Sequence, residues 1–132
     1  MIVHLVDGTY ELYRQHYGQA VRSSTPAPNA ATIGVLNSTL QLLTEGATYI
    51  AVASDHVIES FRNDLWDGYK TSEGMEPEIL GQIPIMEEAL RAMGVTVWPM
   101  IEYEADDALA SAAALADADP RVTQVQILSP DK

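Results

Sequence analysis

The most informative segment of this chain is Ile2-Val3-His4-Leu5-Val6-Asp7-Gly8. Its mostly apolar run ends at an Asp-Gly pair, which is typical of a buried strand whose exit loop begins at Asp7. His4 lies within the apolar run, where a core histidine with its hydrogen bonds satisfied is a better interpretation than a metal ligand. The segment therefore predicts a first β-strand over residues 2–6, with a carboxylate just after its carboxyl end.

Strands and helices alternate along the rest of the chain. Short apolar runs predict three more strands, Tyr49–Ala53, Val95–Trp98 and Gln124–Leu128. Helical spacing predicts a helix that includes Leu12, Tyr13 and Tyr17, a helix capped by Asn29 with the apolar face Ile33, Leu36, Leu40 and Leu43, one long helix from Glu76-Pro77 to Met93, and an alanine-rich helix from about Glu104 to Ala118. Strands separated by helices pair in parallel through right-handed crossovers. The sequence therefore predicts an α/β fold in one domain over residues 1–132: a three-layer, open, mostly parallel sheet with helices on both faces.

Length and composition limit the classes of protein that fit. The chain has 132 residues, 47% of them hydrophobic and 20% charged, an ordinary balance for one globular domain. It has no cysteine, which excludes disulfides and thiolate metal sites. No apolar run reaches the roughly 18 to 20 residues that a membrane-spanning helix needs. No glycine-rich phosphate loop follows the first strand. We therefore expect a monomeric, cytoplasmic protein with no membrane partner and no organic cofactor.

The charge of the chain is strongly acidic. Seven Lys and Arg residues stand against 19 Asp and Glu residues, a net charge of −12. This is far from the basic surface of a typical nucleic-acid-binding protein, and its simplest interpretation is a solvated surface that keeps the protein soluble. Whether some of the carboxylates form a binding site depends on where they lie relative to the predicted strands.

Acids follow all four predicted strands. They are Asp7 after the first strand, Asp55 after the second, Glu104, Asp106 and Asp107 after the third, and Asp131 after the fourth. Parallel strands present their carboxyl ends at one edge of the sheet, where such folds bind ligands. Like charges gathered there repel each other unless a cation lies among them. Oxygen ligands suit Mg²⁺ or Mn²⁺, whereas zinc is a poor candidate without cysteine or paired histidines.

Five short motifs occur in a fixed order along the chain. They are Leu5-Val6-Asp7-Gly8-Thr9, Ala53-Ser54-Asp55, Phe61-Arg62 with Tyr69-Lys70, Glu104-Ala105-Asp106-Asp107, and Ser129-Pro130-Asp131-Lys132. In this order they resemble the 5′-to-3′ exonuclease and flap endonuclease family, which includes the N-terminal nuclease domain of bacterial family A DNA polymerases. The Glu-Ala-Asp-Asp motif is the most specific of the five. The resemblance covers the chain from end to end and implies a PIN-like, resolvase-like fold with metal-dependent 5′ nuclease activity on DNA that has a 5′ end or flap.

The resemblance also implies a role for each acid. A first metal ion is held by Asp7, Asp55, Glu104 and Asp106, and a second by Asp107 and Asp131. Two Mg²⁺ or Mn²⁺ ions activate a water molecule and stabilise the leaving oxygen during phosphodiester cleavage. The residues alone leave another interpretation open for Asp106 and Asp107, because acids in the first turn of a helix stabilise its dipole.

The same resemblance places basic residues against the substrate. Arg62 and Lys70 lie at the edge of the site near the scissile phosphate, with Lys70 among the catalytic residues. Tyr69 beside them has the chemistry to stack on a base, although simple packing is an equal alternative. Arg14 is a weaker candidate for a phosphate contact, and a surface ion pair with Glu11 is its alternative.

Two features depart from the family's pattern. Residues 71–76 are acidic, where the family carries further basic residues, and this weakens the expected grip on DNA. The family also continues beyond the Asp-Lys pair with more metal-binding acids and a helix-hairpin-helix element that grips duplex DNA. We therefore expect this chain to be the amino-terminal, metal-binding part of a 5′ nuclease domain, with little or no nuclease activity by itself.

Two other functions remain open on the sequence. A PIN-type endoribonuclease shares the fold and the acidic cluster and needs no helix-hairpin-helix element, although the Phe61-Arg62 and Tyr69-Lys70 pairs favour the DNA nuclease. The other is a noncatalytic interaction module that keeps the fold without turnover.

Overall fold

The computed structural model describes residues 1–22, 27–58, 62–65 and 76–130. Within them, four strands form one sheet: β1 (Ile2–Asp7), β2 (Tyr49–Asp55), β3 (Thr96–Met100) and β4 (Gln124–Leu128). The strand order is β3-β2-β1-β4, and every neighbouring pair is parallel. The predicted α/β fold with a parallel sheet is confirmed, and each predicted strand agrees with the structure to within two residues at either end.

Helices cover both faces of this sheet. They are α1 (Gly8–Arg22), α2 (Ala30–Thr44), α3 (Arg62–Leu65), α4 (Pro77–Leu80), α5 (Ile83–Ala92) and α6 (Ala105–Asp117). Neighbouring residues of β1 point to opposite faces, so Val6 packs in a core with α1, α2 and α5, and Leu5 packs in a smaller core under α6. His4 is buried in β1, as expected for a core histidine. Its Nδ1 has no hydrogen-bond partner within the described residues, which differs from the expected satisfied side chain. None of the helices in the described part of the chain has the length and hydrophobicity needed to cross a bilayer.

Most of the predicted apolar face of α2 does not point into the core, and only Leu36 of its four residues packs partly against it. Ile33 and Leu40 are 52% and 51% exposed, whereas Val35 is only 1% exposed. Small residues allow α2 to lie close to α1, and a Cβ atom on Gly34 would lie 2.3 Å from the side-chain oxygen of Gln15. The side of α2 with the smaller residues therefore packs most closely against the core, and Ile33, Leu40 and Leu43 are exposed.

The predicted long helix from Glu76-Pro77 to Met93 is divided into α4 and α5, so that prediction is wrong. Pro84 lies in the first turn of α5, where its missing N–H cannot continue a helix from α4. Gln82, between the two helices, accepts hydrogen bonds from the N–H and the hydroxyl of Thr32 at 3.0 and 2.9 Å. Asn29 stands at the N-cap of α2 with φ 61° and makes no side-chain cap bond, so Gln82 caps this helix instead of Asn29.

Candidate functional site

Asp7 is the last residue of β1 and is only 7% exposed. Its Oδ1 accepts a hydrogen bond of 3.0 Å from the N–H of Tyr10, in the first turn of α1. The strand turns directly into the helix at Gly8, where a Cβ atom would lie 2.6 Å from Cγ1 of Val52. Glycine is therefore required at this close approach, which fixes the Asp7 carboxylate at the edge of the sheet.

Asp55 ends β2 on the neighbouring strand and is 4% exposed. Its backbone N–H donates a hydrogen bond of 2.8 Å to the hydroxyl of Thr9. Its Oδ1 accepts a hydrogen bond of 2.9 Å from the N–H of Ala105, one of the donors that the start of α6 cannot satisfy within the helix. Contacts from α1 and α6 therefore hold Asp55 next to the N-terminus of α6.

Glu104 and Asp107 fix the start of α6. Glu104 is the N-cap residue and is 7% exposed. Its N–H donates a hydrogen bond of 2.8 Å to Oδ2 of Asp107, and the N–H of Asp107 donates one of 3.0 Å to the backbone oxygen of Glu104. Asp107 therefore stabilises the N-terminus of α6, which is the structural role that the sequence left open for it. Asp106 lies exposed in the same turn.

Arg62 brings positive charge into this group of carboxylates. Its Nη1 donates hydrogen bonds of 2.5 Å to Oε2 of Glu104 and 2.9 Å to Oδ2 of Asp107, and its Nη2 donates one of 2.9 Å to Oδ1 of Asp107. These hydrogen bonds hold the pKa of Asp107 below its usual value, against the opposing effect of partial burial. A guanidinium therefore balances part of the negative charge at this edge.

The structure brings five predicted acids to one edge of the sheet, near the N-terminus of α6. They are Asp7, Asp55, Glu104, Asp106 and Asp107. Among the residues that the structure describes, no three acidic or histidine side chains form a ready-made group of metal ligands. The Arg62 guanidinium instead binds Glu104 and Asp107 together. Their roles as metal ligands remain predictions.

The other predicted site residues have different outcomes. Tyr69, Lys70 and Asp131 lie outside the described residues, so their roles also remain predictions. Arg14 donates from Nε and Nη2 to the carboxylate of Glu11 at 3.0 and 2.5 Å. This is the ion pair considered as the alternative to a phosphate contact.

Two residues that contribute to this edge were not predicted from the sequence. Thr9 supplies the hydroxyl that binds the N–H of Asp55. Glu87 lies on α5 between Ile83 and Leu90 and is only 2% exposed. Its position, four residues after one core residue and three before another, places an acid on the buried face of the helix. Carboxylates are rarely buried without a partner, so this spacing is a signal in the sequence that Glu87 binds other polar groups.

The chain is similar to several known proteins. A family model described as "5'-3' exonuclease, N-terminal resolvase-like domain" matches residues 2–132. The chain is 33% identical over 130 residues to the thermostable DNA polymerase I of Thermus aquaticus, covering 97% of this chain and 15% of the polymerase. It is also 33% identical over 118 residues to DNA polymerase I of Mycobacterium leprae, covering 86% of this chain and 13% of that protein. The chain therefore spans about one seventh of the length of these curated relatives.

A solved structure has a similar fold. It is the T5 D15 protein co-crystallised with metal ions, which superposes with a TM-score of 0.61 at 19% sequence identity. The match covers 99% of this chain and 49% of the T5 protein. This likeness supports the open parallel sheet described above.

Proposed function

Because this chain belongs to the 5′-3′ exonuclease family, through the N-terminal resolvase-like domain that matches residues 2–132, we propose that it is the metal-binding part of a 5′ nuclease acting on DNA. The observation that carries the proposal is the gathering of Asp7, Asp55 and Glu104 at one edge of the sheet, each less than a tenth exposed. Three buried carboxylates at one edge need compensating positive charge. Metal ions in addition to Arg62 supply it.

The donor set fits Mg²⁺ or Mn²⁺. The acids at this edge offer carboxylate oxygens, which are the ligands that these hard cations prefer. One oxygen of Asp7 and one of Asp55 are fixed by backbone N–H groups, so both carboxylates are oriented before an ion arrives. The fixed orientation lowers the cost of assembling a metal site.

We assign the acids to two ions. Asp7, Asp55, Glu104 and Asp106 hold the first ion, and Asp107 with Asp131 holds the second. Bound ions of this kind supply an activated water molecule and stabilise the leaving oxygen of a phosphodiester. Two divalent ions also change the net charge from −12 to −8, and this reduction of negative charge lies where the phosphate must approach.

The proposed substrate is DNA with a 5′ end or flap, bound by a monomer in the cytoplasm. Lys70 and Arg62 contact the phosphates next to the cleaved bond, and Tyr69 stacks on a base. Arg14, which pairs with Glu11, is the weaker candidate for a further phosphate contact. Arg62 is bound by Glu104 and Asp107, close to the position where the phosphate is needed. The contact between Arg62 and a phosphate therefore requires only a local change of its hydrogen-bond partners.

The test is digestion of a 5′-flap DNA and a single-stranded RNA in the presence of Mn²⁺. Two forms of the protein are compared, the protein in its native sequence context and the 132-residue chain by itself. Each form is tested with and without the substitution Asp106→Asn. Asp117→Asn is the matched control, since Asp117 is an exposed acid at the other end of α6. We expect flap cleavage that depends on Mn²⁺ and falls by about 100-fold or more in Asp106→Asn only. The 132-residue chain is expected to cleave weakly or not at all.

Other outcomes would contradict the proposal. Cleavage of RNA alone would favour the PIN-type endoribonuclease. Mn²⁺ binding without cleavage of either substrate in the native context would favour the noncatalytic module.

A further inference from the structure

We propose that Glu87 is a positioning residue for Asp55. Glu87 binds Ser54 and His56, the two residues on either side of Asp55, and so fixes Asp55 between them. The inference rests on the proposed function, in which Asp55 is a metal ligand. Glu87 lies on α5, and its side chain is 3% exposed. The hydroxyl of Ser54 donates a hydrogen bond to Oε2 of Glu87, and Nδ1 of His56 lies 2.7 Å from Oε1. One buried carboxylate thus binds both neighbours of Asp55, one with each oxygen.

The end of β2 is held from both faces of the sheet. Successive side chains of a strand point to opposite faces. Ser54 therefore shares the face of Val52, which packs in the core with α5, and Asp55 shares the face of Ala53, which packs under α6. Glu87 fixes this segment from the α5 side, and the N–H of Ala105 fixes the Asp55 carboxylate from the α6 side.

Packing alone gives no reason for an acid at position 87. Its neighbours on the same face of α5 are Ile83, Met86 and Leu90, which are all at most 2% exposed. A methionine or leucine would fill the space without the cost of burying a carboxylate. The Glu87 carboxylate does what an apolar side chain cannot do, because it fixes the polar atoms of Ser54 and His56 together. The fixed direction of the intervening Asp55 is the result.

The experiment compares Glu87→Met and Glu87→Gln with Glu88→Met, an exposed acid on the same helix. Mn²⁺ affinity is measured by calorimetry well below the melting temperature, and thermal unfolding is measured separately without metal. We expect Glu87→Met to bind Mn²⁺ 10- to 100-fold more weakly, as for other residues that orient a metal ligand. Its melting temperature without metal should also fall, because the buried hydroxyl of Ser54 loses its acceptor, so the Mn²⁺ affinity of the folded protein is the measurement that decides. A merely structural role would change the melting temperature and leave the Mn²⁺ affinity of the folded protein unchanged.

Glu87→Gln provides the rescue. A glutamine still accepts a hydrogen bond from His56, and its amide can donate to the Ser54 hydroxyl. Its Mn²⁺ affinity should therefore stay within about threefold of the wild type, well above that of Glu87→Met. Ser54→Ala removes one of the two contacts and should weaken Mn²⁺ binding by a smaller factor. That effect should disappear in the Glu87→Met background, because both changes break the same link.

Asp55→Asn separates failure of this inference from failure of the proposed function. If Asp55→Asn loses Mn²⁺ binding while Glu87→Met keeps it, the positioning role is wrong and the metal site stands. If Asp55→Asn binds Mn²⁺ like the wild type, the metal site is wrong and the positioning role falls with it. If Glu87→Met does not fold, Ser54→Ala decides the question, and an unchanged Mn²⁺ affinity in that variant overturns the inference.

Discussion

Arg62 donates one hydrogen bond of 2.9 Å to each carboxylate oxygen of Asp107, using a different terminal nitrogen for each. A guanidinium can make this paired contact and an ammonium group cannot, because only the guanidinium is a planar fork of donors. The contact also joins α3, which is a single turn, to the N-terminus of α6.

Arg62→Lys should therefore lower the stability of the metal-free chain. We expect a loss of about 1.5 to 3 kcal/mol in the free energy of unfolding, the range for hydrogen bonds to charged groups. Saturating Mn²⁺ should reduce this difference, because bound cations replace the missing charge compensation. Urea denaturation with and without Mn²⁺ measures both effects. A loss of equal size in the two conditions would show that Arg62 does not share its carboxylates with a metal.

The Arg62 contact should also make stability depend on pH. Arg62 lowers the pKa of Asp107 in the folded state below its ordinary value of 3.8, so the unfolded chain binds a proton at higher pH than the folded chain does. This contribution is complete above pH 3.8 and is lost as the pH falls through the lowered pKa of the folded state. In Arg62→Met the pKa of Asp107 should move up toward 3.8, as measured by NMR titration of its carboxyl carbon. An unchanged titration would mean that Arg62 does not interact with Asp107 in solution.

Divalent metal should stabilise the folded chain if the acidic edge is a metal site. A ligand that binds only the folded state adds about 2.7 kcal/mol when its concentration is 100 times its dissociation constant. We expect Mg²⁺ or Mn²⁺ to raise the melting temperature, and we expect Asp7→Asn to lose most of that increase. Calorimetric titration and thermal unfolding check this, with Asp117→Asn as the control. Selective stabilisation by zinc would contradict the predicted ligand set.

Gln82→Ala should destabilise the chain through α2. The change leaves the buried N–H and hydroxyl of Thr32 without their partner, which costs about 1 to 3 kcal/mol. Gln41→Ala is the matched control, because the exposed side chain of Gln41 donates a hydrogen bond to the exposed Glu45 across one helical turn. Its effect should stay within about 0.5 kcal/mol. Equal losses in the two variants would show that the cap supplied by Gln82 is not formed.

The strands and the acidic edge could be predicted because their signals are local. An apolar run followed by Asp7-Gly8 marks a strand end without knowledge of the rest of the chain. Parallel pairing then brings the ends of neighbouring strands to one edge, so the acids after them are expected to meet. The break at Pro84 was also visible, since proline removes a helical hydrogen bond, but the apolar spacing on either side of it suggested one continuous helix.

Other features depend on contacts between distant parts of the chain. Thr32 and Gln82 are 50 positions apart, and local sequence favoured Asn29 as the cap. Both sides of α2 carry nonpolar residues, so spacing alone could not decide between the side of Val35 and the side of Leu40. Only the packing of α2 against its neighbours makes that choice.

The position of β1 in the sheet sets the order in which the fold can be completed. β1 pairs with β2 on one side and with β4 on the other, and the N–H of Thr123 donates a hydrogen bond of 2.8 Å to the backbone oxygen of Met1. These two residues are 122 positions apart, so β1 leaves the ribosome well before β4, its second partner. A sheet of β1, β2 and β3 can form first, while the side of β1 that pairs with β4 is still unpaired. Because closing so long a loop is slow, the docking of β4 should set the rate of folding. Until β4 docks, the open edge of β1 is exposed to pairing with the wrong strand.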